Sequence, residues 1–314
     1  MATPPIPDDV LKHNAAIYAK LGMQKASIYL NLNYTTLESR IQEAIRRGFL
    51  EKKVGRVRPE IEGRRHIDIQ NGHVLIGSDA HYYPGIVSTA HRAFVQMCRD
   101  INPTAVIMNG DIFDGARVSR HARIGWDNKP TVKQELETVD TRLAEVREAA
   151  GTKNLYWTLG NHDARFETFL AAAAPEFEGV QGFTLKDRYP EWAPCWSVWI
   201  SDNTVVKHRF KSGIHAPHNN TMWAGKSMVT GHLHSLKVQP ISDYNGTRYG
   251  VDCGTLAQPY GPQFNDYCED SPVSWRSGFV LLTYHKGKLL WPQVIAVHDE
   301  ENGEVEMGTK VFQV

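Results

Sequence analysis

Four short fragments hold the residues best suited to chemistry: Asp79-Ala80-His81, Gly110-Asp111-Ile112-Phe113-Asp114, Gly160-Asn161-His162-Asp163 and Gly231-His232-Leu233-His234. Carboxylates, imidazoles and an amide oxygen form a donor set that suits Mn²⁺, Fe, Zn²⁺ or Ni²⁺ better than Ca²⁺. Each fragment follows an apolar, β-branched run, at residues 73–76, 104–108, 154–159 and 227–230. Such runs read as buried strands. The donors therefore fall where strands end and loops begin, the usual place for a site in an open α/β sheet. One fragment alone would be weak, but four in order after predicted strands read as one two-metal site. Two cations roughly 3.5–4 Å apart need a carboxylate that both can share.

The order of these motifs resembles the calcineurin-like metallophosphoesterase superfamily over roughly residues 70–300, with Gly-Asn-His-Asp and Gly-His-x-His the most diagnostic pieces. The stretch Gly160-Asn161-His162-Asp163-Ala164-Arg165, with Trp275-Arg276-Ser277-Gly278-Phe279, is most similar to the bacteriophage branch. The resemblance implies an α/β fold: two packed mixed β-sheets flanked by helices in a four-layer sandwich, with the metals at one sheet edge. It implies two divalent metal ions, with Mn²⁺ favoured and Fe, Zn²⁺, Ni²⁺ or Mg²⁺ as other fits. Asp111 matches the bridging position. Asp79, His81 and His234 match ligands of one metal, and Asn161 and His232 match ligands of the other. A further His is expected after a strand upstream of Gly-His-x-His. His208 ends the strand-like 204–207 and is chosen, although the family's His-Gly is His208-Arg209 here; His215 is the runner-up. His162 matches the general acid and Asp114 the carboxylate that orients it. Arg165 is read as a phosphate contact or a surface ion pair, and Asp163 as a support behind the ligands. The implied reaction is in-line hydrolysis of a phosphate ester by a water or hydroxide bridging the metals.

The elements that must position these residues alternate between strands and helices. Helices are expected over 88–99, over 132–146, where apolar residues recur every three or four positions, and over 164–174, ended by Pro175. Beyond Trp199 strands are expected at 204–207, 227–230, 249–251, 279–284 and 289–297. Trp192, Trp196 and Trp199 read as core.

Residues 1–58 differ from the rest. Asp8 and Asp9 favour a helix start and Gly22 its end. Residues 26–41 read as helix, tight turn, helix. Asn31 takes the left-handed position, Leu32 plugs the space between the helices, Asn33 caps the second, and Leu37 and Ile41 share its buried face. This pattern resembles a helix-turn-helix. Tyr34, Thr35 and Thr36 would then begin a recognition helix. Between residues 40 and 58, Arg40, Arg46, Arg47, Lys52, Lys53, Arg56 and Arg58 outnumber Glu43 and Glu51, a stripe suited to phosphates. Residues 59–70 read as linker and 71–314 as the metallophosphoesterase domain. Arg117, Arg120, His121 and Arg123 form a second basic stretch.

The net charge is zero, so the chain as a whole is no polycation. Its four cysteines lack CxxC spacing and read as reduced thiols. No signal peptide or membrane-length apolar run is read, which points to the cytoplasm, that of a host cell for a phage protein. Three functions compete. A DNA-directed phosphodiesterase or nuclease fits the front end and its charge. A phosphomonoesterase acting on a protein or small molecule would use the front end for docking or oligomerisation. A DNA-binding regulator with a decayed enzyme domain is disfavoured, because every expected ligand type is present.

Overall fold

In the computed structural model, which describes residues 6–50, 63–120 and 129–314 (side chains of 266 and 267 excepted), Asp8 and Asp9 open helix α1 (Asp8–Leu21). Helices α2 (Met23–Tyr29) and α3 (Tyr34–Arg46) follow. Asn31 takes the left-handed conformation at φ 49°. Asn33 caps α3, its side chain accepting from the Thr36 N–H at 2.7 Å. Leu32 packs with buried Ala26, Leu37 and Ile41. Local turn chemistry and one apolar stripe thus account for this helical unit, which spans residues 1–61.

Residues 62–314 form the second unit. Its strands in chain order are β1 (Arg64–Ile67), β2 (Gly72–Gly77), β3 (Ala105–Met108), β4 (Leu155–Trp157), β5 (Ser197–Ile200), β6 (Thr204–Val206) and β7 (Ser227–Thr230). Then come β8 (Leu236–Asp243), β9 (Gly246–Cys253), β10 (Gly278–His285), β11 (Lys288–Leu289), β12 (Gln293–Asp299), β13 (Glu304–Met307) and β14 (Lys310–Gln313). The helices are α4 (Thr89–Ile101), α5 (Val132–Ala150), α6 (Asp163–Ala173), α7 (Leu185–Arg188), α8 (Ala216–Ala224) and α9 (Asn265–Cys268). One sheet has the order β1-β5-β6-β7-β9-β8. The other runs β14-β13-β12-β10-β2-β3-β4, with β11 beside β10.

The sheets pack face to face, as period-two burial requires. Val74, Ile76, Ala105, Ile107, Val280 and Leu282 meet Val198, Ile200, Val206, Val229 and Val251 between the sheets. Leu75, Val106, Met108, Phe279 and Leu281 point the other way, toward residues of α4 and α5. Helix α8 lies against β7, β8 and β9. The result is the expected α/β arrangement of two mixed sheets flanked by helices. A one-residue slip of β2 would swap its two buried sets, each side chain contributing about 1.5–3 kcal/mol.

The expected helices form, two of them with side-chain caps. Ser88 caps α4, and Thr131 with Gln134 makes a capping box on α5. Three features differ from the sequence reading. Residues 64–67, within the stretch read as linker, form β1, paired in parallel with β5; its Arg-Arg-His composition hides any apolar alternation. The run 289–297 divides into β11 and β12 around Pro292, which cannot donate to a ladder. Only Trp192 of the tryptophan trio is buried. Trp196 is 56% exposed, and Trp199 is half-buried because β5 turns Val198 and Ile200 inward and Ser197 and Trp199 outward. The four cysteines are free and buried. Among the described residues no helix is long and apolar enough to cross a membrane.

Candidate metal centre

Strands β2, β3 and β4 are parallel, so the loops after them open on one edge. In the other sheet β6 and β7 are parallel. Backbone hydrogen bonds stitch these loops together. The Asp79 N–H donates to the Gly110 carbonyl at 2.9 Å, His81 to Asp111 at 2.9 Å, and Gly231 to His208 at 2.8 Å. The His232 N–H reaches the Asp79 carboxylate at 2.9 Å, joining the edges of the two sheets. Asp79, His81, Asp111, His232 and His234 all have positive φ. Such residues cost about 1–3 kcal/mol each and persist where their surroundings hold them. Two motif glycines permit the crowding: a Cβ on Gly160 would lie 2.1 Å from Asp111 Oδ1, and one on Gly110 would lie 2.5 Å from the His208 ring.

Three groups of side chains bring donor atoms within 4.8 Å of one another: Asp79, His81 and His234; Asp111, His208 and His232; and His81, Asp111 and His162. His234 Nε2 lies 3.1 Å from Asp79 Oδ1, and His208 Nε2 lies 3.0 Å from Asp111 Oδ2 and 3.9 Å from Asp79 Oδ1. The first group gathers the residues that the resemblance implies for one metal; the second sets Asp111, the expected bridge, beside His232 and His208, and Asp111 also joins the third. Asn161 lies in the loop after β4, directly before His162. Among the described residues, the Asn161 Oδ1, His81 Nε2 and His234 Nδ1 atoms are buried without a hydrogen-bond partner, and His208 Nε2 meets Asp111 as an ion pair. Buried polar atoms left in this way are costly unless a ligand meets them, and a pair of divalent cations fits this donor set. His215, by contrast, is exposed at the start of α8 and joins none of the groups.

Electrostatics follow from burial and from these contacts. Burial opposes charge on Asp111, but His208 outweighs it and holds the carboxyl well below its ordinary value. Burial likewise opposes charge on His208, yet Asp111 and Asp79 push the imidazole up to about 10. Cation binding would have to displace that proton. Asp114 lies behind, its Oδ1 meeting His162 Nδ1 at 2.8 Å and His81 Nδ1 at 2.9 Å. For His162, burial lowers the pKa and the Asp114 hydrogen bond raises it; the net direction is up. Arg165 is half-buried. It donates to the Asp114 carbonyl at 3.0 Å and lies 3.0 Å from His162 Nε2.

Other residues hold the frame. The Asp163 carboxylate accepts from the N–H groups of Asp111, Ile112, Phe113 and Gly160 and from Trp157 Nε1, at 2.8–3.0 Å. Burial and the Asp111 charge push it up to about 6, against the pull of those donors. The Asn109 carbonyl meets His208 Nδ1 at 2.8 Å, which turns Nε2 toward the carboxylates. Sequence reasoning missed Glu135. Buried on α5, it accepts from the Gly115 and Ala116 N–H groups at 3.0 and 3.1 Å, just after Asp114. The available signal was a carboxylate one turn before Val139 on the apolar stripe. It also missed an aromatic wall: Phe264 lies 5.0 Å from the His81 ring, and Trp275 lies 4.4 Å from His234.

The basic stretches divide. Tyr34 and Thr35 are exposed at the start of α3, while the Thr36 N–H is taken by its cap. Arg40 meets Asn14 at 3.3 Å. Arg46 and Arg47 both pair with Glu43 at 2.6 Å, and Arg47 also pairs with Asp8 at 2.7 Å. Arg117 donates to the Lys129 and Pro130 carbonyls. Lys52, Lys53, Arg56, Arg58, His121 and Arg123 lie outside the described residues.

Two packed mixed sheets, with carboxylate and imidazole donors gathered where their strands end, define the metallophosphoesterase class. The family model for calcineurin-like phosphoesterases matches residues 72–249, and the chain belongs to that family. Its members use a dinuclear divalent metal centre. Among solved structures, the chain is similar to wild-type Vps29 complexed with Zn²⁺ from Entamoeba histolytica, at 15% identity and TM-score 0.41, over 76% of this chain and 98% of that one. A single-mutant Vps29 from the same organism gives 16% and 0.41, over 77% and 99%. A protein serine/threonine phosphatase from Saccharomyces cerevisiae gives 9% and 0.34, over 98% and 90%. No curated protein matches the chain.

Proposed function

We propose that this protein is a phosphodiesterase or nuclease directed at nucleic acid. Two divalent cations, Mn²⁺ preferred, would be held by Asp79, His81, Asp111, Asn161, His208, His232 and His234. When bound, the cations supply Lewis acidity to the phosphoryl oxygens and an activated water. The single observation that carries the reading is the convergence of these donors beside a braced imidazole, His162. Asp114 accepts from His162 Nδ1 at 2.8 Å, leaving Nε2 as the atom to face a leaving group. His162 would give its proton from Nε2 to the departing alkoxide, and Asp114 would steady the charge that the ring carries beforehand. Arg165 Nη2 lies 3.0 Å from that same Nε2. In this arrangement the guanidinium N–H donates to an unprotonated Nε2; protonation of Nε2 would break that contact and leave both groups to donate to phosphoryl or leaving-group oxygens. The diester assignment draws support from the N-terminal helical unit, where Tyr34 and Thr35 are exposed at the start of α3.

The deciding assay compares bis-p-nitrophenyl phosphate with p-nitrophenyl phosphate, beside single- and double-stranded DNA, all with Mn²⁺. Faster turnover of the diester and cleavage of DNA are expected. Turnover of the monoester alone would move the assignment to a phosphomonoesterase.

A further inference from the structure

The sheet that contributes His208 has an outer face on which cations are set among aromatic rings. Across β1 and β5, Arg64 opposes Ser197 and His66 opposes Trp199. Across β5 and β6, Trp199 opposes Val205. Lys207 lies two residues beyond Val205 and so continues the outward row, directly before His208 and Arg209. The Arg64 guanidinium sits 4.3 Å from the Trp199 ring centroid, and the Lys226 ammonium 5.5 Å from it. Lys207 lies 5.3 Å from the Phe210 ring and Lys211 3.6 Å from the Trp223 ring. Among the described residues, Arg64, Lys207, Arg209 and Lys211 pair with no carboxylate. Phe210 is 45% exposed and Trp223 71%.

Cations gathered without carboxylates repel one another, and a polyanion relieves that repulsion. Exposed rings beside them add flat surfaces for unpaired bases. Duplex DNA shows phosphates but hides its base faces, and an acidic protein would use the charges and leave the rings idle. The combination of a cationic track and stacking rings is what single strands require. We propose that this outer face binds single-stranded nucleic acid and leads its backbone toward the metal centre at His208. The delivery of substrate rests on the phosphodiesterase reading above; the binding itself does not.

The test uses the full-length protein and a fluorescein-labelled oligothymidylate, with anisotropy titrations at two salt concentrations. The unmodified protein is expected to bind, more weakly at higher salt. Arg64→Glu with Lys211→Glu should raise Kd about tenfold and reduce the salt slope by about 0.7 for each phosphate no longer neutralised. Trp223→Ala should raise Kd severalfold and leave the salt slope unchanged, because stacking releases no counterions. If thermal unfolding shows the charge-reversed protein to be unstable, Arg64→Gln with Lys211→Gln replaces it. Failure of the unmodified protein to bind, or equal binding by the variants at both salts, overturns the proposal. A duplex of equal length that binds as tightly, and is weakened as much by Trp223→Ala, overturns the single-strand assignment. Turnover of bis-p-nitrophenyl phosphate by the unmodified protein separates the two readings. Lost turnover with intact oligonucleotide binding sinks the catalytic one alone, and the converse sinks this one alone.

Discussion

Two basic regions of this chain carry the same sign of charge in opposite surroundings. On α3, Arg46 and Arg47 are three and four residues from Glu43, and both close on it. Their hydrogen bonds hold the Glu43 carboxyl down at about 2. Arg47 takes Asp8 as well. On the outer face of the β1–β5–β6 sheet, Arg64, Lys207 and Lys211 meet aromatic rings and, among the described residues, no carboxylate. A count of charges along the sequence favours the first region, whereas the position of the carboxylates favours the second as a phosphate binder. The metal centre is the extreme form of the second condition. Among the described residues, several of its buried donors have no hydrogen-bond partner, which a cation would supply.

The largest expected effect tests that extreme. Asp111→Asn should abolish hydrolysis of bis-p-nitrophenyl phosphate and leave less than two equivalents of metal by elemental analysis, with circular dichroism unchanged. Losing the shared carboxylate loosens both positions together. Two full equivalents retained in this variant would refute the ligand assignment.

Next in size is His162→Asn, which should keep both metals and slow turnover by about 10²–10⁴. The loss should shrink for nitrophenyl leaving groups, which need little protonation. Equal losses for aryl and alkyl esters would remove the proton-donor role.

The comparison itself is sharpened by Arg46→Ala with Arg47→Ala. These cations are already paired, so oligothymidylate binding should weaken by less than about threefold, against about tenfold for the outer-face pair. Equal losses would break the contrast between paired and unpaired cations.

The smallest effect concerns a buried carboxyl that supports the site. Burial and the Asp114 charge raise Glu135 from 4.5 to about 8, against the Gly115 and Ala116 N–H groups. A carboxyl raised in the folded state contributes its stability fully below the unfolded value. That contribution is lost as pH climbs through the folded one. Stability should therefore decline between pH 4.5 and about 8. Glu135→Gln, with no proton to lose, should flatten the decline relative to the unmodified protein in urea titrations. An unchanged difference between pH 5 and 8 would show that Glu135 is ionised throughout.

Much of the architecture was legible because its signals are local. The continuous apolar runs before Asp79, Asp111 and Asn161 have the composition and length of strands buried on both faces, and they form β2, β3 and β4. Asn31 and Asn33 announced a left-handed turn and a cap through chemistry confined to a few neighbouring residues. The donor types in the four motifs pointed to metal chemistry before any geometry was known.

The rest depended on partners distant in sequence. His208 and His215 are alike as residues, and only the parallel pairing of β6 with β7 sets the first against Asp111 and leaves the second at the surface. Nothing near Arg64 marks a strand; β5, more than 130 positions away, makes it one. Trp199 reads as core until the register turns it outward, toward Arg64 and Lys226. Glu135 gains its role from a loop 20 positions earlier that folds over α5. Periodicity, caps and donor type are properties of neighbouring residues, so the sequence alone determined the elements and the kind of site. Which cation finds a carboxylate, which a ring and which histidine meets the cluster depend on register and packing between strands, and only the tertiary structure decided them.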